Sequence, residues 1–213
     1  TARDLPKDDF QKLDSFCAEN NLARGDAELT YAVPRQSTAF QFIARDFTQV
    51  NPTVNDALVE RALTWLHPAA GETVADFFCG LGNFTLPLAR VSESVIGYEI
   101  DKVMVQRAAN NAREFANTEF RALDLFDATA TIPDGFDAAL LDPPRAGARA
   151  LCQRLAASRR LQRIVYVSCN PHTLVRDLAI LTSDNFRVEH AALVDMFPQT
   201  GHIEAIVALA RSY

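Results

Sequence analysis

The sequence predicts an α/β fold: a mostly parallel, Rossmann-like sheet finished by a terminal antiparallel strand pair. Three observations carry that expectation. Between residues 52 and 182, short apolar, β-rich runs alternate with segments of helical spacing, the pattern of a parallel sheet covered by helices. Several of those runs stop in distinctive turns, CGLGN (79–83), DPPRAG (142–147) and SCNP (168–171), and open α/β sheets bind ligands at such strand ends. The last two runs, FRVEHAALV (186–194) and IEAIVALA (203–210), are joined too closely for a parallel crossover.

Composition narrows the class. A chain of 213 residues with 48% hydrophobic residues can fill a sizeable core, and 23% charged residues argues against disorder. No apolar run approaches transmembrane length and no signal-peptide pattern opens the chain, so a cytoplasmic protein without membrane attachment is expected. Cys17, Cys79, Cys152 and Cys169 show no CxxC spacing, which argues against a metal site and against a disulfide framework. A net charge of −6 offers no broad cationic face, and DNA is not an expected partner. The sequence opens at Thr1 and reads as a fragment, with any basic binding surface on a missing part.

Residues 8–20 carry Phe10, Leu13, Phe16 and Cys17 at helical spacing, so an amphipathic helix is expected there. The stretch from there through Ala39 is polar and turn-rich. FQFIARDFTQV (40–50) reads as a strand or hairpin edge. Asn51 and Pro52 start a helix, as cap and first residue, that Val54, Leu58, Ala62, Trp65 and Leu66 carry to Pro68. Gln49, in the loop before it, reads either as a capping amide or as a side chain reaching a polar ligand.

Residues 73–78 are strand-like, and CGLGN turns them into a helix over 84–90. Gly80 and Gly82 permit a tight turn and close ligand approach, although a GxG is by itself equally a structural turn. SVIGYEI (94–100) is the next strand. Its Glu99 stands at about the 20-residue distance at which dinucleotide folds place an acid on ribose hydroxyls. The third glycine of GxGxxG is missing, because Phe84 and Thr85 follow Asn83, and a pyrophosphate would want that close helix N-terminus. The pattern therefore points to S-adenosylmethionine rather than NAD.

A helix over 101–116 and a strand over 118–123 follow. Asp124 at the strand's end is either an acceptor for an adenine amino group or a solvated turn residue. The fourth strand, 136–141, delivers Asp142, Pro143, Pro144 and Arg145, a stiff loop where substrate would meet cofactor. RIVYVSCNP (163–171) carries Cys169 to the end of a buried strand, where it reads on position alone as a small core residue or as a presented thiol. After a helix over 172–182, the final strand pair completes a class I S-adenosylmethionine-dependent methyltransferase sheet. His202 and Glu204 share one face of the last strand. His202 reads as a surface or a functional residue, whereas Glu204 sits among apolar neighbours, where an unpaired carboxylate is costly, and needs a partner or a task.

DFFCGLGNFTLPLA (76–89), LLDPPRAG (140–147), IVYVSCNPHTLVRDL (164–178) and DMFPQTGHIE (195–204) together resemble the RNA uracil-5-methyltransferase family. The wording is closest to the bacterial 23S rRNA branch, with the tRNA branch a near relative. The resemblance makes 40–213 a methyltransferase catalytic domain and 1–39 an N-terminal appendage or the remnant of a preceding domain. The family's RNA-binding barrel and cysteine-rich iron–sulfur segment have no counterpart in these residues.

The resemblance implies that Cys169 is the nucleophile that adds to carbon 6 of uracil and Glu204 the base that removes the carbon 5 proton. Gln49, Phe78, Asn83, Glu99, Asp124 and Asp142 would surround S-adenosylmethionine in a monomer, with an aromatic such as Phe47 receiving the flipped base. The substrate would be 23S rRNA, with tRNA the alternative. The chemistry asks for a Cys169 pKa lowered by its surroundings. Two rivals stand beside this reading. One is an amino-group methyltransferase with a (D/N)PP-aromatic loop, in which Arg145 would occupy the aromatic position. The other is a non-catalytic RNA-binding module that keeps the fold.

Overall fold

The computed structural model describes residues 28–183, 185–201 and 203–212, together with Ser15. Apart from Ser15, the helix expected over 8–20 lies outside the described residues, as does His202. A hairpin of β1 (Leu29–Val33) and β2 (Thr38–Phe42) comes first, followed by α1 (Pro52–Leu66). Then come β3 (Thr73–Phe77), α2 (Thr85–Ala89), β4 (Ser94–Glu99), α3 (Lys102–Asn111) and β5 (Thr118–Ala122). The second half holds β6 (Ala138–Leu141), α4 (Arg149–Ala157), β7 (Arg163–Ser168), α5 (Pro171–Thr182), β8 (Phe186–Val194) and β9 (Glu204–Arg211).

β3 to β9 form one seven-stranded sheet in the order β5-β4-β3-β6-β7-β9-β8. β5, β4, β3, β6 and β7 are parallel neighbours, and β9 inserts antiparallel between β7 and β8. Burial explains that order. Glu204 to Leu209 of β9 are all buried, whereas β8 is largely exposed and carries Arg187, Glu189 and His190 along the free edge, where charge discourages further pairing.

Both faces of the parallel strands are covered, so their residues alternate between two cores. Val74, Val95, Leu140 and Val165 face α1 and the hairpin, with Leu58, Val59, Ala62 and Leu66 of α1 buried against them. Phe77, Tyr98, Leu141 and Tyr166 face the other way, onto Leu151 and Leu155 of α4 and Leu174 and Leu181 of α5. Each fully buried leucine contributes about 1.5–3 kcal/mol. The chain leaves β3 in one direction for β4 and β5 and in the other for β6 and β7. The crevice beyond β3 and β6 is therefore the switch point where such sheets bind ligands.

α1 starts as its sequence predicts: the Asn51 side chain accepts from the Val54 N–H at 3.2 Å, and Pro52 needs no donor. Two elements depart from the reading of the sequence. β1 occupies a stretch expected to be irregular; Tyr31 and Val33 alternate inward, and the Tyr31 ring stacks on Phe40 at 5.1 Å. The hairpin runs through position 40, where the catalytic domain is expected to begin. α3 stops at Asn111 rather than 116, and there the Asn111 side-chain amide accepts from the Gln41 N–H (2.8 Å) and donates to its carbonyl (3.1 Å). Among the described residues no helix is long and apolar enough to cross a membrane.

Candidate active site

The left half of the crevice is built on the turn after β3. Phe78 takes φ +65°, a left-handed conformation that costs a bulky residue on the order of 1–3 kcal/mol. Gly82, at φ +98°, completes the turn, with Leu86 only 3.3 Å from where a Cβ would stand. The Cys79 N–H donates to the Tyr98 carbonyl (3.0 Å) and the Gly80 N–H to Glu99 Oε2 (3.3 Å), which lays the loop across the end of β4. Glu99 Oε1 accepts from the Ile100 and Asp101 N–H groups at 2.8 and 3.2 Å. Beneath the loop, Asp76 is wholly buried: Thr85 Oγ1 donates to its Oδ2 at 2.5 Å, and its Oδ1 has no partner. Desolvation pushes its carboxyl up to about 7, against the Thr85 hydrogen bonds and with help from the charge of Glu99.

α1 closes this half from above. Asn55, wholly buried, exchanges two amide hydrogen bonds with Asn83, at 2.8 and 3.0 Å. Gln49 arrives with the same end of the helix; it is 8% exposed, and its Oε1 has no donor. A buried amide carbonyl left alone is costly. Asp124, at the end of β5, is exposed and accepts from the Phe126 N–H at 2.9 Å. Phe126 itself, unmarked in the sequence, brings its ring to 5.6 Å from that of Phe78. Carboxylates, amides and aromatic faces suit a cation bearing hydroxyl groups and repel a phosphate.

The right half holds Asp142, Cys169 and Glu204. The Asp142 N–H donates to the Phe77 carbonyl (3.3 Å), so the acid stands beside the end of β3. Ser168 of β7 pairs with Ala205 of β9, and one step beyond that pair Cys169 comes opposite Glu204. The Asn170 N–H donates to Ser168 Oγ (3.2 Å) while its side chain caps α5 at the His172 N–H (3.1 Å), wrapping the turn around Cys169. Cys79 and Cys152 are buried and Cys169 is partly exposed. Phe47, 68% exposed, is on the surface near Gln49.

Electrostatics join the two halves. Burial raises the Glu204 carboxyl, and its Oε2 has no partner. Asp142 is pushed well above the usual carboxylate range by desolvation and then by the charges of Glu204 and Asp76. The Cys169 thiol is raised as well, by desolvation and then by Glu204 and Asp142, with Arg145 opposing them. That direction is the reverse of the one the sequence suggests, because burial first, and then two carboxylates, outweigh one guanidinium. The eight expected site residues thus fall into Phe78, Asn83 and Glu99 around one loop, Gln49 above it, and Asp142, Cys169 and Glu204 beside it. Asp124 stands at the margin, tied in through Phe126.

A parallel sheet of this order, with one strand inserted antiparallel and a glycine loop after its first parallel strand, is the fold of class I methyltransferases. Within that class the chain belongs to the tRNA (uracil-5-)-methyltransferase family, whose model matches residues 22–131 and 120–212. It is 46% identical to the 23S rRNA (uracil(1939)-C(5))-methyltransferase RlmD of Azoarcus sp. (strain BH72), over 86% of this chain and 44% of that protein. It is 42% identical to the Pseudomonas putida protein of the same name, over 95% and 48%. Among solved structures it is similar to the Pyrococcus abyssi tRNA (uracil-54, C5)-methyltransferase in complex with S-adenosyl-L-homocysteine. That match has a TM-score of 0.75 and 28% identity and covers 86% of this chain and 44% of the other. The chain spans about half the length of the curated relatives it matches.

Proposed function

We propose that this chain carries the catalytic domain, residues 40–213 together with the β1 strand that packs into the same core, of an enzyme that methylates carbon 5 of a uridine in RNA, using S-adenosylmethionine. The observation that carries the reading is the register of β7 and β9, which sets a partly exposed thiol opposite a buried carboxylate whose Oε2 has no partner, at the ligand end of the sheet. Carbon 5 of uracil is a poor nucleophile. When Cys169 Sγ adds to carbon 6, the ring's double-bond pair moves toward the carbon 4 carbonyl, and the resulting enolate can attack through carbon 5. S-adenosylmethionine, when bound, supplies an electrophilic methyl group. Glu204 then takes the carbon 5 proton; that C–H pair restores the ring double bond, and the C–S bond breaks with its electrons returning to Cys169.

Gln49, Phe78, Asn83, Glu99, Asp124 and Asp142 are read as the residues that hold the cofactor, Glu99 toward the ribose hydroxyls. The unpartnered Gln49 carbonyl and the phosphate-repelling donor set support this. Cys169 keeps its proton in the free site, so its activation belongs to the loaded state. The target base must leave its stack to offer carbon 6, and exposed Phe47 is suited to receive it. The names of the relatives favour 23S rRNA as substrate; the similarity to the Pyrococcus enzyme supports tRNA as a second reading. We read the protein as a cytoplasmic monomer.

A 5-fluorouridine RNA tests the mechanism, because fluorine cannot leave as a cation and the adduct is trapped. The expected result is a heat-stable, slow-migrating band on a denaturing gel that disappears in Cys169→Ala. Glu204→Gln should accumulate the same band with ordinary RNA, since addition and methylation proceed while elimination stalls. A methylating Cys169→Ala enzyme would end the reading. Mass mapping of the modified RNA decides between rRNA and tRNA.

A further inference from the structure

Asp177 of α5 has no place in the chemistry above, yet its side chain is entirely buried. Its Oδ2 accepts from the Tyr166 hydroxyl (2.7 Å) and from the Ala148 N–H (2.6 Å). Its Oδ1 accepts from Arg176 Nε (2.9 Å) and Nη2 (2.7 Å). One carboxylate therefore ties together β7 three residues before Cys169, the helix that follows Cys169, and the loop that follows Asp142.

The rest of that loop is fastened to the same helix. The Arg145 carbonyl accepts from Asn170 Nδ2 (2.9 Å) and Thr173 Oγ1 (3.2 Å), and the Ala146 carbonyl accepts from Arg176 Nη2 (3.0 Å). Gly147, at φ +74°, lets the backbone press against the cluster: a Cβ there would lie 2.5 Å from Asp177 Oδ2 and 2.6 Å from Arg176 Nη2. A buried ion pair is by itself weak evidence of stabilisation, since apolar residues often replace one without loss. This one is placed where it fixes the distance between two pieces of the site. After burial, the charges of Glu204 on β9 and Asp142 at the β6 end raise the Cys169 thiol, and the charge of Arg145 lowers it. The Asn170 and Thr173 bonds hold the main chain of Arg145 directly, and Asp177 holds the same loop at Ala148 and, through Arg176, at Ala146.

We propose that Asp177 is a positioning residue: it locks the Asp142–Ala148 loop to the Cys169 turn and so keeps the Arg145 guanidinium beside the nucleophile. The proposal rests on reading Cys169 as that nucleophile. Around Asp177, Arg176 is the paired cation, Tyr166 is held protonated by burial and by its bond to Asp177, and the Cys152 thiol of α4 is raised by burial. Loosening the lock frees Arg145 to leave, and the carboxylates then act on Cys169 unopposed.

The test is the pH profile of iodoacetamide labelling at Cys169, read by peptide mass spectrometry, in the full chain. In Asp177→Asn the labelling midpoint should move up by half a pH unit or more, and trapping on 5-fluorouridine RNA should slow at least tenfold. Affinity for S-adenosylhomocysteine should fall less than trapping does, because Phe78, Asn83 and Glu99 follow β3 and β4 and only Asp142 of the proposed cofactor residues stands on the loosened loop. If Asp177→Asn does not fold, the partly exposed Thr173 replaces it: Thr173→Val should shift the midpoint upward and slow trapping, and Thr173→Ser should restore both. Folded variants with wild-type labelling and trapping would overturn the proposal. Trapping that survives Cys169→Ala would instead overturn the nucleophile assignment, which the labelling profile does not depend on.

Discussion

Asp76 titrates where it has no business titrating for a carboxylate, near 7 against an ordinary 3.8, because it is sealed beneath the glycine loop. Between those values the folded chain holds a proton that the unfolded chain releases, so stability falls as pH rises through that window and the full cost is felt above it. Asp76→Asn keeps an acceptor for the Thr85 hydroxyl and removes the charge. It should unfold later than the parent at pH 8, by a margin on the order of 4 kcal/mol, and the margin should shrink toward pH 4.5. A margin that does not change between those pH values would assign the titration elsewhere. At this scale Cys169, Glu204, Asp142 and Glu99 were legible, since each ends or begins a strand inside a recognisable motif. Asn55, Phe126 and Asp177 were not. Their partners stand across the fold, and nothing near Asn55 in sequence announces Asn83. The direction of the Cys169 shift follows from the same kind of distance, because its burial and its opposing carboxylates come from the packing of β6 and β9 around it.

Among the elements, α1 does two jobs: it covers one face of the sheet and it holds down the loop through Asn55. Asn55→Ala should leave the core face of the helix intact but strip Asn83 of both its amide bonds. An unsatisfied buried amide costs about 1–3 kcal/mol, to be read as a lower urea midpoint with an unchanged slope. An unaltered midpoint would mean that the amide pair does not anchor the helix. The periodicity of α1, α5 and the parallel strands was plain in the sequence, because burial on one or both faces writes itself into the apolar pattern. β1 was hidden because only Tyr31 and Val33 turn inward, too short an alternation to stand out among polar residues. The contact that meets the end of α3 was hidden because Gln41 of the hairpin stands 70 positions away in sequence.

The whole molecule carries a net charge of −6. Few cations are available to displace phosphate counterions, so this chain alone should bind RNA weakly, with a shallow dependence of affinity on salt. Nanomolar binding in physiological salt would place recognition on the catalytic domain after all. The order of the strands was the least legible property at this scale: an antiparallel final pair could be read, but not that the later strand would take the inner position. That position has a consequence for how the protein is made. β9 follows both of its neighbours in the chain yet lies between them, so β7 has a bare edge until β9 pairs with it. On the mechanism proposed above, a chain whose β9 has not yet paired lacks Glu204 opposite Cys169, so the releasing base joins the nucleophile only when β9 pairs with β7.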